Sequence, residues 1–283
     1  MRKEARRQAM WGICFLLPDL LGVICFALLP FAQVVIRSFQ GAVNHKWVGF
    51  DNYKAVFQNA AFRMAAGNTL RFTAICIPLL VALSLVLAVT LQHLRLGKDL
   101  LKSAFLIPVA VPAASVVLVW KVLFHSNGLI NGLVLQLGGE KIPWMTSGAA
   151  FFVLVISYLW KNLGYDMILW MAGLAGIPTE IYEAAKVDGA GEWKCFTKIT
   201  LPNLKTSLYT ISVLSFLNSF KVFREAWLVA GDYPHQSMYL LQHLYNNWFR
   251  DLSFDRIAAA AVLNALVVLA LIFLLKRAWD AEE

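Results

Sequence analysis

Apolar residues run along this 283-residue chain in long unbroken blocks, not in the short stripes of a soluble domain. Six blocks approach the roughly 20 helical residues needed to cross about 30 Å of hydrocarbon. They predict spans over 11–36, 69–92, 103–124, 149–174, 206–230 and 257–275. The first is the clearest; the fifth is interrupted in its outer half by Asn218, Lys221, Arg224 and Glu225. The expected fold class is an all-α polytopic membrane protein, with six transmembrane helices in a single domain over 1–283.

Between the fourth and fifth blocks the pattern changes. Residues 175–205 are polar and helix-forming, with a glycine break. Pro178 and Thr179 can start a helix, and Glu180 and Glu183 fall in its first turn, where carboxylates favour the positive end of the macrodipole. Asp188-Gly189 stops it, because glycine readily takes the left-handed conformation past a helix end. A second short helix is expected through Trp193, Phe196 and Ile199, spaced for one apolar face, with Leu201-Pro202 ending it. Two readings fit such a hairpin. It is either an amphipathic connector in the headgroup region or a docking element, small Ala184 and Ala185 letting a partner approach closely.

Composition agrees with a membrane chain: 59% of residues are hydrophobic and 15% charged, against about 25% charged in soluble domains. The net charge of +8 is spread along the chain, without the basic arm or aromatic interleaving of a nucleic-acid binder. Cys14, Cys25, Cys76 and Cys195 lack the spacing of a zinc or redox site. The basic start fits a signal peptide, yet the apolar run continues over 11–36 without a small-residue cleavage site and reads as a retained span. Arg2, Lys3, Arg6 and Arg7 put the amino terminus in the cytoplasm. Six crossings return the carboxyl terminus, with Lys276 and Arg277, to the same side and place 175–205 there too.

Glu183-Ala184-Ala185, Asp188-Gly189-Ala190, Phe196, Ile199 and Leu201-Pro202 resemble the EAA loop of binding-protein-dependent ABC importer permeases. The likeness extends to Asn68-Thr69, to 106–124, to "GLIN" at 128–131 and to 173–185, and is nearest to the maltose and glycerol-phosphate type permeases of the carbohydrate branch. Two departures stand out: Thr206 where the family usually has proline, and Ala230-Gly231-Asp232-Tyr233-Pro234 in place of T-x-G-G-P. The resemblance implies the type I ABC importer permease fold in a bacterial inner membrane. It also implies three kinds of partner: a second permease subunit, two copies of a cytoplasmic ATPase, and an extracytoplasmic solute-binding protein that delivers a saccharide.

On that resemblance, Glu183, Ala184, Ala185, Asp188, Gly189, Phe196, Leu201 and Pro202 couple to the ATPase. Glu183 would anchor the loop, Gly189 would permit the sharp turn, and Leu201-Pro202 would set the angle into the fifth span. The chain has no G-x-x-x-x-G-K-[ST] phosphate cradle, so no enzymatic activity is expected of it; ATP and magnesium belong to the partner subunits. Residues 39–67, with Trp47, Phe50 and Tyr53, are expected to help dock the binding protein.

Polar groups inside spans are costly and mark candidate transport paths. Lys161, Asn162 and Tyr165 on the fourth span, and Ser215, Asn218, Ser219, Phe220 and Phe223 on the fifth, are the candidate substrate contacts. Hydroxyls and amides can hold sugar hydroxyls while aromatic rings stack on the sugar's apolar faces. The competing reading makes the phenylalanines packing and the serines helix-to-helix hydrogen bonds. Lys161 suits an anionic saccharide, or else pairs with a carboxylate elsewhere in the heterodimer. Other solutes, small and polar or anionic, remain open within this class. A gradient-driven secondary transporter would need membrane carboxylates at a repeat interface; Asp19, Asp166 and Glu225 are the candidates, and no inverted repeat is evident.

Overall fold

The structure, a computed structural model, describes residues 2–94 and 96–280, without the side chains of 2–10, 14 and 278–280. The side chains of Arg2, Lys3, Arg6, Arg7 and Cys14 therefore lie outside the described set. In chain order the helices are α1 (Arg2–Val23), α2 (Leu29–Ser38), α3 (Asp51–Gln58), α4 (Ala60–His93), α5 (Lys98–Ala110), α6 (Ala113–Leu123), α7 (Leu129–Gln136) and α8 (Ala150–Ala175). They continue with α9 (Thr179–Val187), α10 (Glu192–Cys195), α11 (Leu201–Asn203), α12 (Lys205–Ser219), α13 (Phe223–Ala230), α14 (Leu241–Arg250) and α15 (Phe254–Asp280).

Four stretches are long and apolar enough to cross a membrane: Phe15–Ser38, Ala60–His93, Ala150–Ala175 and Phe254–Arg277. They overlap the first, second, fourth and sixth expected spans with shifted ends, the second beginning at Ala60 rather than Thr69. The third, expected over 103–124, is two helices, α5 and α6, bent by 97°. Pro112 is the cause, since the ring of a proline disfavours helical geometry in the residue before it, and Val111 is extended at ψ 126°. The fifth, expected over 206–230, is broken by the 3-10 turn Phe220–Val222 between α12 and α13. Among the described residues it does not pass as one long apolar helix.

The chain divides into two compact units, one up to Phe62 with Asn247–Ala270, the other Arg63–Asn246 with the residues from Leu271 on. In the first, Asn52 Nδ2 donates to the carbonyls of Ser38 and Gln40, both at 2.9 Å. Phe39 stacks on Trp47 at 5.2 Å and meets Phe50 and Tyr53 at 5.5 and 5.4 Å, so the segment after α2 is a small aromatic knot.

The second unit is built around α8. Phe151, Leu154 and Tyr158 pack with Phe72, Cys76 and Leu80 of α4 and with Val222 and Ala226. Met167, Trp170 and Leu174 pack with Ala88, Leu91, Leu204 and Ile211. These α8 positions recur three and four apart, so one helix buries two clusters along its length. A methyl placed on Gly164 would lie 1.9 Å from the Phe105 carbonyl oxygen, which marks how closely α5 crosses α8.

Two motifs noted in the sequence prove to be clamps. Asn68 Nδ2 donates to the carbonyls of Gln236 and Tyr239 at 2.6 and 3.0 Å, and Thr69 Oγ1 accepts the Leu241 N–H at 3.0 Å. Asn131, the last residue of "GLIN", is buried; its Nδ2 reaches the Ile142 carbonyl at 2.9 Å and its Oδ1 accepts from Ile142 N and Trp144 Nε1.

His243 of α14 is fully buried between Phe223 and Tyr239, and its Nδ1 accepts the Leu240 N–H at 3.1 Å. Burial pushes its pKa down to about 4, against a smaller opposing pull from Asp232. The unfolded chain then binds the extra proton first as pH falls. The stability from the neutral ring is complete above about pH 6.5 and is lost on going down towards pH 4. Thermal melts of the detergent-solubilised protein across that window should show the slope, and His243→Asn should flatten it. Equal slopes would refute the assignment.

Candidate functional site

The hairpin is the first candidate. α9 begins after Pro178 and closes at Asp188. Gly189 sits at φ 78°, its N–H bonded to the Lys186 carbonyl and that of Ala190 to the Ala185 carbonyl. This double bond pattern satisfies the last carbonyls of the helix and requires the left-handed residue that glycine supplies.

The return limb departs from expectation. After α10 the chain opens into a π-helical turn, Phe196–Thr200, before α11. Leu201-Pro202, expected to end the second helix, instead open α11, where a residue without an N–H is tolerated in the first turn. The break comes at Leu204. The wider turn also separates the expected apolar face. Ile199 and Tyr182 pack on the Trp170–Leu174 cluster, and the Tyr182 hydroxyl lies 2.8 Å from Thr200 Oγ1, while Trp193 points out. Glu183, Ala184, Asp188, Gly189, Leu201 and Pro202 are exposed, and Ala185 and Phe196 half-buried. Val187 is 87% and Trp193 76% exposed, so the hairpin carries large apolar groups that the chain itself leaves largely uncovered, Trp193 at the edge of a cavity between the hairpin and the end of α4. Neither was among the expected coupling residues.

The second candidate is a recess of about 90 Å³ between α8 and the α12–α13 junction. Lys161, Asn162 and Asn218 line it with Tyr158, Arg224 and Glu225. Lys161 Nζ pairs with the Glu225 carboxylate, so the carboxylate expected elsewhere in a heterodimer is on this chain. Asn162 Nδ2 donates to the Tyr158 carbonyl at 2.8 Å, and Asn218 Oδ1 accepts from Lys221 at 2.8 Å.

The other candidates lie outside the recess. Ser215 is buried in the α8–α12 seam and donates to Asp166 Oδ2 at 2.6 Å, while the Tyr158 hydroxyl donates to the Ser215 carbonyl at the same distance. Ser219 donates to the Phe216 carbonyl of its own helix. Phe220 packs on Phe216 and Phe223 on His243. Tyr165 does not reach the recess. Sequence reasoning missed Glu225 as the partner of Lys161. The available signal was a cation in the fourth span and a carboxylate in the fifth, each needing a counter-charge in hydrocarbon, but Asp166, Lys221 and Arg224 offered competing pairings.

The model of the family "binding-protein-dependent transport system inner membrane component" matches residues 80–281. The trehalose/maltose transport system permease protein MalF of Thermococcus litoralis is 30% identical over 270 residues, covering 93% of this chain and 92% of that protein. The diacetylchitobiose uptake system permease protein NgcF of Streptomyces coelicolor is 30% identical, covering 100% and 86%. A solved bacterial ABC transporter involved in the import of the acidic polysaccharide alginate contains a chain that superposes with a TM-score of 0.84 at 21% identity, covering 99% of each. That likeness concerns the fold, and it is the all-α arrangement of a type I ABC importer permease. The chain belongs to the family of binding-protein-dependent transport system inner membrane components.

Proposed function

We propose that this chain is one of two permease subunits of an ATP-driven importer of a sugar or oligosaccharide, and that it couples to the ATPase through 175–205. The observation that carries the reading is the hairpin: a Schellman turn at Gly189, a side seated on the α8 core, and largely uncovered Val187 and Trp193. A rigid element held at one face and free at the other can pass the closure of a nucleotide-driven partner to the helices behind it. The named substrates of the similar permeases, trehalose/maltose and diacetylchitobiose, favour a saccharide. ATP hydrolysis falls to the partner, since this sequence carries no phosphate-cradling loop. Both termini and the hairpin lie on the cytoplasmic side, and the aromatic knot after α2 meets the binding protein on the other.

A recess of about 90 Å³ falls well short of the roughly 300 Å³ at which small-molecule sites begin. The second permease subunit therefore completes the path, with the Asn162 and Asn218 amides and the Lys161–Glu225 pair as this chain's polar wall. Pairing with Glu225 consumes the charge of Lys161, which weakens that residue's argument for an acidic solute. Ser215 reaches the path only after the α8–α12 seam opens, and Ser219 lies on the side of α12 that meets Thr69 and Phe72 of α4.

Trp193→Glu tests the coupling role. Trp193 is 76% exposed, stacked near Phe196 at 5.9 Å between ring centroids and at the edge of an open cavity, so a charge there should leave the fold intact. The variant is expected to lose the co-purifying ATPase and saccharide uptake by at least about tenfold, as for a truncated interface anchor. Unchanged ATPase stoichiometry would sink the reading. Gly189→Ala should act more mildly, at about 1–2 kcal/mol for a side chain held left-handed.

A further inference from the structure

Between the end of α8 and the start of α5 lies a cleft of about 330 Å³ that the transport reading does not use. Its floor is Ile168, Met171, Ala172 and Leu174, the last two turns of a helix that is itself a candidate span. Its rim is Lys98 and Lys102, four apart on α5 and so on one face. Lys102 is 29% exposed and shares its charge with Asp99, whose carboxylate is 95% exposed. Lys98 is half-buried and has no acidic partner among the described residues. Apolar floor and cationic rim are thus stacked along the end of a span. That is the order in which a bilayer presents acyl chain and headgroup.

We propose that this cleft binds an anionic phospholipid, an acyl chain lying on Met171 and Ala172 and the phosphate held by Lys98 and Lys102. The inference rests on the reading of the chain as a membrane permease. Basic clefts between spanning helices at the membrane boundary suit anionic headgroups because the lysine stems lie along apolar surface while the ammonium groups reach the headgroup layer. Water would screen two lysines, one already paired, too well for free phosphate to bind. The acyl chain supplies the rest by covering a floor otherwise left wet. An acidic protein segment would satisfy the rim but not a floor within the hydrocarbon edge.

The test uses the assembled transporter in neutral detergent, titrated with phosphatidylglycerol or phosphatidylcholine and read by native mass spectrometry. Wild type should retain phosphatidylglycerol in preference to phosphatidylcholine. The preference should fall about fivefold for each of Lys98→Gln and Lys102→Gln. Ala172→Trp, which fills the floor and keeps the rim, should expel both lipids. Inorganic phosphate at millimolar concentration should displace neither. Equal retention of the two lipids by wild type, or an unchanged preference in the double lysine variant, overturns the proposal. Displacement by phosphate reduces the site to an ion site and also overturns it. Loss of a protein subunit from the lysine variants with lipid counts unchanged would assign the rim to protein. Co-purified ATPase is scored in the same spectra: its absence from wild type would count against the permease reading, while the lipid preference would still decide this one.

Discussion

Gly164→Ala is expected to lower the melting temperature of the detergent-solubilised protein by at least about 5 °C and to cut its folded yield, although it adds one methyl group. The new carbon would sit 1.9 Å from the Phe105 carbonyl oxygen and 2.4 Å from its carbon. Those are backbone atoms of α5, so no rotamer change relieves the overlap, and the two helices must part along the crossing. Overpacking of a closed core costs about 1–3 kcal/mol, a methyl driven onto backbone falling at the upper end, and each kcal/mol moves the midpoint by about 2–4 °C at this size. Separation would also disturb Asn162 and Tyr158, which lie on the same helix within two turns. Gly173→Ala is the control. Its methyl would meet Ser207 Oγ at 2.2 Å, which can turn away, and Leu204 Cδ2 and Ser207 Cβ at 3.0 Å, where a shift of a few tenths of an ångström suffices. It should melt within a few degrees of wild type. If Gly164→Ala melts with wild type, the close crossing of α5 and α8 is wrong.

The contrast between those glycines shows where the sequence was readable. The four long apolar stretches were legible because a helix that is apolar all round announces its environment without any knowledge of its neighbours. The hairpin turn was legible for a similar reason, since Asp188-Gly189 after a helix-forming run has few local alternatives. The break in the third block was less so. Pro112 was visible, yet whether a proline bends a span by 97° or merely kinks it depends on packing. The π turn at Phe196–Thr200 had a local mark that was overlooked: Pro202, two residues on, offers no N–H to the Lys198 carbonyl and its ring crowds it, and the same turn at Ile24–Leu28 precedes Pro30 in the same way. The role of Gly164 was invisible, being set by an approach from a helix some sixty positions earlier. Of the candidate substrate contacts, residue type was readable and direction was not. Ser215 belongs to the α8–α12 seam and Ser219 turns back on its own helix on the side of α4, while Asn162 and Asn218 face a recess.

Direction also decides what Lys161 is for. Its ammonium pairs with Glu225, 64 positions away, at side-chain exposures of 25% and 8%. Removing one partner leaves the other charge half-desolvated, at a cost of about 3–5 kcal/mol for a fully buried pair and less here because water still reaches the lysine. Lys161→Met and Glu225→Met are each expected to melt several degrees below wild type, from roughly 2–4 °C per kcal/mol. The double change removes both charges and should recover most of that loss, since apolar residues of similar volume often replace an ion pair at no net cost. Stability and transport should then part company. The recess loses two of its hydrogen-bonding groups in the double variant, so the apparent KM for saccharide uptake should stay raised by about tenfold, the effect of roughly one unmet hydrogen bond in a polar site. A lone Lys161→Met that melts like wild type would show that the pair does not join α8 to α13. A double variant with the wild-type KM would leave the pair structural and confine this chain's part of the proposed sugar path to Asn162 and Asn218.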